Sequence, residues 1–301
     1  MTRRRGPWWA LVATAGPLYV TMIASSAAAL VDTALLGHYA TASLAAFSVT
    51  IAVFNPVMSM MQGAERGVLP FVAAHKDDPE ALLPVVRNAM WLGYAVGALG
   101  ALVVMGVLTF AAARIGTADA AVQIVCVSLS NVMYTAAVAV GQAVARTVAV
   151  AARDHEVAAV RRIVAVGAVL ALGAAAFFGI VLVGLRHQVV SVFSSDHVVL
   201  AGVMALLPLL LASVATDALQ AVSGFGLVGL RVTRPSLTWT LLWFGLLGVV
   251  AVPVAESGGL RALWSALVVA NALQVVSKLA SFRKHSALCA AAEPLPASAT
   301  A

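Results

Sequence analysis

Two carboxylic acids lie inside apolar stretches that are long enough to cross a lipid bilayer. The first is Asp32, near the end of the stretch WWALVATAGPLYVTMIASSAAALVDTALL. At about 100° per residue of helix, Thr14, Thr21 and Ser25 point in nearly the same direction as Asp32. Because an unpaired charge in hydrocarbon is costly, an acid in such a stretch is a candidate functional group.

The second acid is Asp217, which lies closer to the middle of its own apolar stretch. Ser213, Thr216 and Gln220 share its side of the predicted helix. Two carboxylates on two polar stripes can bind and release a cation inside the membrane, as a cation-coupled carrier requires. The sequence therefore predicts Asp32 and Asp217 as cation-coupling residues and the polar residues beside them as the substrate path. It leaves the choice between H+ and Na+ open.

Both acids also have structural interpretations. A carboxylate near the end of a span, as Asp32 is, can reach the lipid–water interface or cap a neighbouring helix. Asp217 lies nearer the middle of its span, where a purely structural role is the weaker alternative. These alternatives stay open from the sequence alone.

Enzyme signatures are poor. The chain has no HExxH, GxSxG or Walker A motif, and its acidic loops HKDDPE (75–80) and RDHE (153–156) look like solvated connections. We predict that the protein is not an enzyme, that it has no cofactor beyond the coupling ion, and that it holds no metal site.

The composition predicts an all-α integral membrane protein. Of the 301 residues, 62% are hydrophobic and only 10% are charged, whereas a soluble domain is about one quarter charged. We expect a multi-pass protein of the cell membrane, surrounded by the lipid bilayer, with no nucleic-acid partner. The eight predicted spans cover residues 8–36, 44–72, 85–112, 120–150, 163–185, 197–228, 236–254 and 261–281.

The basic residues predict that both termini are cytoplasmic. With the N-terminus inside, fifteen Lys and Arg fall on the inner side, and Lys278 is counted there at the inner end of the last span. The outer side holds the other three of the 18, namely Arg114, Arg186 and Arg261. This asymmetry is the positive-inside pattern.

An internal repeat relates the ends of the second and fourth spans. QGAERGVLPFVAA begins at Gln62, and QAVARTVAVAA begins at Gln142. Repeated bundles related by pseudo-symmetry are common in secondary transporters. We therefore place Gln62 and Gln142 on the predicted substrate path as well.

Several segments resemble the multidrug and toxic compound extrusion (MATE) transporters. VDTALLGHYATASLAAFSV (31–49) is similar to the family's first-helix signature, and residues 191–236 resemble its tenth helix with the following loop. GGLRALWSAL (258–267) resembles the start of its final helix. The resemblance implies a two-lobed bundle that exports cationic or amphipathic compounds against an inward flow of protons or sodium. It places Asp32 and Asp217 at the acids of the family's first and tenth helices.

The same resemblance implies a shortened molecule, with about eight of the family's twelve helices. We predict an incomplete N-lobe (1–117), a C-lobe-like bundle (118–282) and a disordered cytoplasmic tail (283–301). The expected function is cation-coupled antiport of small molecules, and a homo-oligomer would complete the short lobe. The alternative is a protein that no longer transports and acts through partner contacts.

Overall fold

The computed structural model describes residues 7–48, 50–51, 84, 107–153 and 156–291. All regular structure in these ranges is helical, as predicted. Helical residues 41–48 overlap the start of the second predicted span, and helical residues 107–115 overlap the end of the third. The remainder of the spans 44–72 and 85–112 lies outside the described residues.

Six helices have defined bounds within the described ranges. They are α1, Pro7–Tyr39; α2, Thr117–Arg153; α3, Val157–Gly184; α4, Arg186–Ser191; α5, His197–Gly229; and α6, Thr233–Ala291. By length and composition, all but the short α4 can cross a membrane. Helices α1, α2, α3 and α5 confirm the predicted first, fourth, fifth and sixth spans.

The last helix differs from the prediction. We predicted a loop between spans 236–254 and 261–281, but α6 is interrupted only at Gly259. The backbone there has φ 67° and ψ −165°, a conformation that is essentially restricted to glycine. The two halves of α6, residues 233–258 and 260–291, then run back alongside each other. The predicted pair of spans is present, but one glycine replaces the predicted loop.

Two tryptophans of the first half of α6 hold the second half in place. Trp239 Nε1 donates to Ser281 Oγ at 2.9 Å, and Trp243 Nε1 donates to Ser277 Oγ at 3.0 Å. Since the residue numbers rise on one half as they fall on the other, the two halves are antiparallel.

Helix α2 is the centre of the described bundle. It packs most extensively along α5 and also contacts α1 and α3. A Cβ at Gly229 of α5 would lie 2.7 Å from the carbonyl oxygen of Ala145 and 2.8 Å from Val148 Cβ. Small residues of this kind let helices approach closely where lipid removes the usual hydrophobic driving force.

Groups predicted to lie on one side of the membrane meet at one end of the bundle. At the predicted outer end, Arg114 forms a 3.4 Å ion pair with Glu256. At the other end, Arg161 Nε donates to Ser286 Oγ at 3.1 Å. Leu11, near the start of α1, shares a hydrophobic cluster with Phe282, near the end of α6. Both ends of the described chain therefore lie at the same end of the bundle; their cytoplasmic location stays a prediction.

Asp196 begins α5 at the outer end. Its Oδ1 accepts from the backbone N–H of Val198 at 2.9 Å, and its Oδ2 accepts from Thr41 Oγ1 at 2.8 Å. These hydrogen bonds, and most of all the one from Thr41, hold the pKa of Asp196 below its usual value.

We expect Gly259→Ala to destabilise the protein by about 1–3 kcal/mol, because alanine adopts this backbone conformation only with strain. Gly245→Ala is the matched control within α6. A Cβ at either position meets nothing within 4 Å, so the two changes differ in backbone conformation and not in crowding. Thermal unfolding of the purified protein in detergent measures the difference. Equal melting temperatures for the two variants would contradict this account of the junction.

We expect Asp196→Asn to lower stability at neutral pH and to lose this effect in acid. The folded-state pKa is depressed, so the carboxylate stabilises fully above the unfolded-state pKa of about 3.9, and this is lost as pH falls through the folded-state pKa. Asparagine keeps a cap acceptor for the helix but not the charge. Unfolding curves of both proteins between neutral pH and about pH 3 test this. A difference that does not change with pH would contradict it.

Candidate functional site

A buried lysine joins the second half of α6 to α5. Only 4% of the surface of Lys278 is exposed, and its Nζ donates a 2.5 Å hydrogen bond to Gln220 Oε1. Asp217 lies about one turn earlier on α5 and is half-buried; it lies near the Gln220 side chain and interacts electrostatically with Lys278, although no ion pair within 4 Å joins the two charges. We call these three side chains the charged cluster.

Gln220 lies between the residues that carry the two opposite charges. Its amide oxygen accepts a hydrogen bond from the ammonium of Lys278, and its side chain lies near the carboxylate of Asp217. Hydrogen bonds to charged groups are stronger than those between neutral groups. The carboxylate and the ammonium also neutralise each other, which lowers the cost of holding charge inside a membrane bundle.

Gly226 lets α5 and the second half of α6 approach closely near this level. A Cβ at Gly224 would lie 3.9 Å from Lys278 Nζ, an ordinary van der Waals contact, and one at Gly226 would lie 3.3 Å from the ring of Phe282, a tight one. These pairs rise together in residue number, so the two helices are parallel. The run GFGLVG (224–229) has the spacing of a dinucleotide-binding motif, but it lies within α5 and not between a strand and a helix. Its glycines serve helix packing.

Two more buried polar side chains precede Lys278 at helical spacing. Asn271 and Gln274 are both 0% exposed, and Gln274 Oε1 accepts from Thr240 Oγ1 at 3.2 Å. In the described part of the chain, Gln274 Nε2 and both amide atoms of Asn271 have no hydrogen-bond partner. A buried polar atom left unpaired costs about 1–3 kcal/mol. The second half of α6 thus carries a polar interior face that packing by itself does not account for.

Helix α1 contacts α2 through a different set of hydroxyls from the predicted stripe. Ser26 pairs with Thr135 at 3.1 Å, and Thr33 pairs with Ser128 at 3.1 Å, so the two helices are antiparallel. Asp32 is exposed, and no described residue hydrogen-bonds to it or forms an ion pair with it. The coupling role of Asp32 stays a prediction.

The other predicted residues of α1 do not meet the charged cluster. The hydroxyls of Thr14 and Thr21 donate within their own helix, to the carbonyl oxygens of Ala10 and Pro17. Ser25 lies in α1, but its side chain is outside what the structure describes, and Gln62 lies outside the described residues.

The predicted residues of α5 do lie together near the cluster. Ser213 is buried, and Thr216 is half-buried with its hydroxyl donating to the carbonyl oxygens of Ala212 and Ser213. Gln142 is half-buried on α2. Whether these residues line a substrate path stays a prediction.

Within the described ranges, no group of three or more His, Cys, Asp or Glu is placed to hold a metal ion. The polar groups between α5 and the second half of α6 are therefore amides, hydroxyls and the opposite charges of Asp217 and Lys278.

The sequence model of the MatE family matches this chain twice, over residues 17–106 and over residues 102–254. The chain belongs to the MatE family. It is 29% identical over 89 residues to a probable multidrug resistance protein NorM of Acinetobacter baylyi, a stretch that covers 29% of this chain and 20% of that protein. The match thus spans about a fifth of the length of this curated relative.

A solved structure of a MATE transporter has the same fold. The crystal structure of the eukaryotic MATE transporter AtDTX14 superposes with a TM-score of 0.56 at 16% sequence identity, over 93% of this chain and 80% of that chain. The predicted family and the predicted helical membrane fold are confirmed.

Sequence reasoning missed the partner of Asp217 in this MatE-family protein. Lys278 was counted with the inner-side charges, but it is buried between helices. The available signal was the spacing of Asn271, Gln274 and Lys278, three polar residues on one face of an apolar helix. That face matches the polar face of α5, on which Asp217 lies.

We expect the effects of Asp217→Asn and Lys278→Met on stability to be strongly non-additive. Asp217→Asn leaves the buried ammonium without its counter-charge, which typically costs about 3–5 kcal/mol, and Lys278→Met leaves the half-buried carboxylate without its own, whereas the double variant removes both charges. Thermal or denaturant unfolding of the wild type, both single variants and the double variant gives the coupling energy, which we expect to be about 1–3 kcal/mol. Additive effects would contradict a coupled pair.

Proposed function

We propose that this MatE-family protein is a secondary active transporter that exports small cationic or amphipathic compounds in exchange for an inward-moving cation. The observation that carries this proposal is the charged cluster, because it places a carboxylate and its counter-charge inside a bundle of membrane-length helices. Ionisable groups at such depth are costly and commonly belong to ion or substrate pathways.

In this proposal, exchange at Asp217 couples the two flows. Its carboxylate lies beside a neutral amide and has its counter-charge on another helix, so an arriving proton competes with the ammonium for the negative charge. A change in this competition alters what holds α5 against the second half of α6. A bound cation can therefore bias the packing of two helices, which is the basis of coupling between binding and conformation.

Asp32 has a second role in this proposal, as an acid open to ions or substrate. Its side chain is exposed on α1, away from the hydroxyls that contact α2. The polar residues Ser213 and Thr216 beside Asp217, together with Gln142 on α2, are proposed to line the path. The relatedness to the NorM protein supports export of drug-like compounds as the substrate class.

We expect proteoliposomes with the wild-type protein to transport a cationic dye when a proton gradient or a sodium gradient is imposed. Asp217→Asn and Asp32→Asn should each lower the gradient-driven rate about tenfold or more, because a coupling free energy of 1–3 kcal/mol is lost. Fluorescence of the dye, recorded under each gradient in turn, measures the rate and identifies the driving ion.

Glu256→Gln is the matched control, since it makes the same change of carboxylate to amide in an exposed ion pair at the outer end. It should transport at the wild-type rate. A wild-type protein that moves no dye under either gradient would contradict the proposal and would favour a protein that acts through partner contacts. Full activity of Asp217→Asn would remove Asp217 from the mechanism.

A further inference from the structure

The charged cluster contains the oxygen ligands of a small cation site, and the cation beside them is the ammonium of Lys278, which is part of the protein. Gln220 Oε1 is an amide oxygen and Asp217 supplies a carboxylate, the hard oxygen ligands that unpolarisable metal cations prefer. Lys278 donates a hydrogen bond to the first of these groups and supplies the counter-charge of the second. The ammonium thus occupies one oxygen ligand and balances one carboxylate that a free monovalent cation would use.

We propose that Lys278 is a tethered cation that takes the place of bound sodium between α5 and α6, so that Asp217 in the wild-type protein does not bind Na+. This inference rests on the proposed transport function and specifies that the site at Asp217 excludes Na+. Lys278 is then a specificity-determining residue.

Charge balance supports this exclusion. The pair of Asp217 and Lys278 is neutral, and among the described residues Asp217 is the charged group that interacts with the lysine. A sodium ion added to the pair would leave one uncompensated positive charge in a bundle of apolar helices, which is unfavourable in a low-dielectric interior. Without the ammonium, the carboxylate would be the uncompensated group and a sodium ion would restore neutrality.

The surrounding packing keeps the ammonium in place. Lys278 is buried on the second half of α6. The hydrogen bonds from Trp239 and Trp243 reach this half at residues just after and just before Lys278 in the sequence. The end of the lysine side chain packs beside Gly224, with Nζ at 3.9 Å from where a Cβ would lie, an ordinary van der Waals contact. The side chain therefore has a defined position beside Gln220, as a substitute for a bound ion requires.

The test measures Na+ binding to the purified full chain in detergent. Binding of ²²Na+ and melting temperature are compared in sodium chloride and in N-methylglucamine chloride at equal ionic strength. The proteins are the wild type, Asp217→Asn, Lys278→Met, Lys278→Arg and the double variant Lys278→Met with Asp217→Asn. Lys278→Arg keeps a tethered cation and is the conservative control.

We expect sodium to have no Asp217-dependent effect on the wild type or on Lys278→Arg. In Lys278→Met, sodium should bind and raise the melting temperature by about 2–4 °C, because a ligand that binds only the folded state stabilises it. The double variant should lose both effects.

Sodium binding by the wild type that Asp217→Asn abolishes would overturn the inference, as would a folded Lys278→Met variant that binds no sodium. If Lys278→Met does not fold in either salt, Lys278→Gln replaces it, and the comparison of the wild type with Asp217→Asn still decides. Because the measurement is of binding, a protein that shows the expected pattern but exports nothing would contradict the proposed function while supporting the role of Lys278.

Discussion

The ammonium of Lys278 must be neutralised inside a bundle of apolar helices, and much of the described structure meets this constraint. The lysine is 4% exposed, so water cannot solvate it, and a buried charge is tolerated only with a partner of opposite charge and with hydrogen bonds. Asp217 supplies the charge and Gln220 supplies the hydrogen bond. The partners lie on different helices, so the requirement also determines how α5 and the second half of α6 are placed along each other.

The helices around the cluster are arranged so that this pairing is possible. Gly226 brings α5 close to the last helix, and Gly229 brings α5 close to α2. Gly259 turns α6 back on itself within a single residue, and two tryptophan hydrogen bonds then hold the halves together. Close packing of this kind makes the interface respond to a change of charge, since tightly packed interfaces tend to switch between discrete arrangements and deform little in between.

The sequence predicted much of the scaffold but only two of the three residues of the charged cluster. Asp217 and Gln220 were recognised because two polar residues on one face of an apolar helix are visible in the periodicity. Lys278 was counted with the inner-side charges, because the predicted last span ended at residue 281 and its end was placed on the inner side. The helix continues to Ala291, so Lys278 lies about 20 Å from its end, at 1.5 Å per residue.

From sequence, the hydropathy and the family resemblance determined that this is a helical membrane protein of the MATE type, with an acid in each of two apolar helices. Such features are local, because each depends on residues within one helix. Tertiary structure decided that Lys278 and Gln220 meet although they are 58 residues apart, and that Asp32 is exposed. A periodic pattern identifies the polar face of a helix. The residues that this face contacts depend on how far each helix extends and on how the helices are aligned. That alignment is determined by tertiary packing, including the close contacts at the glycines.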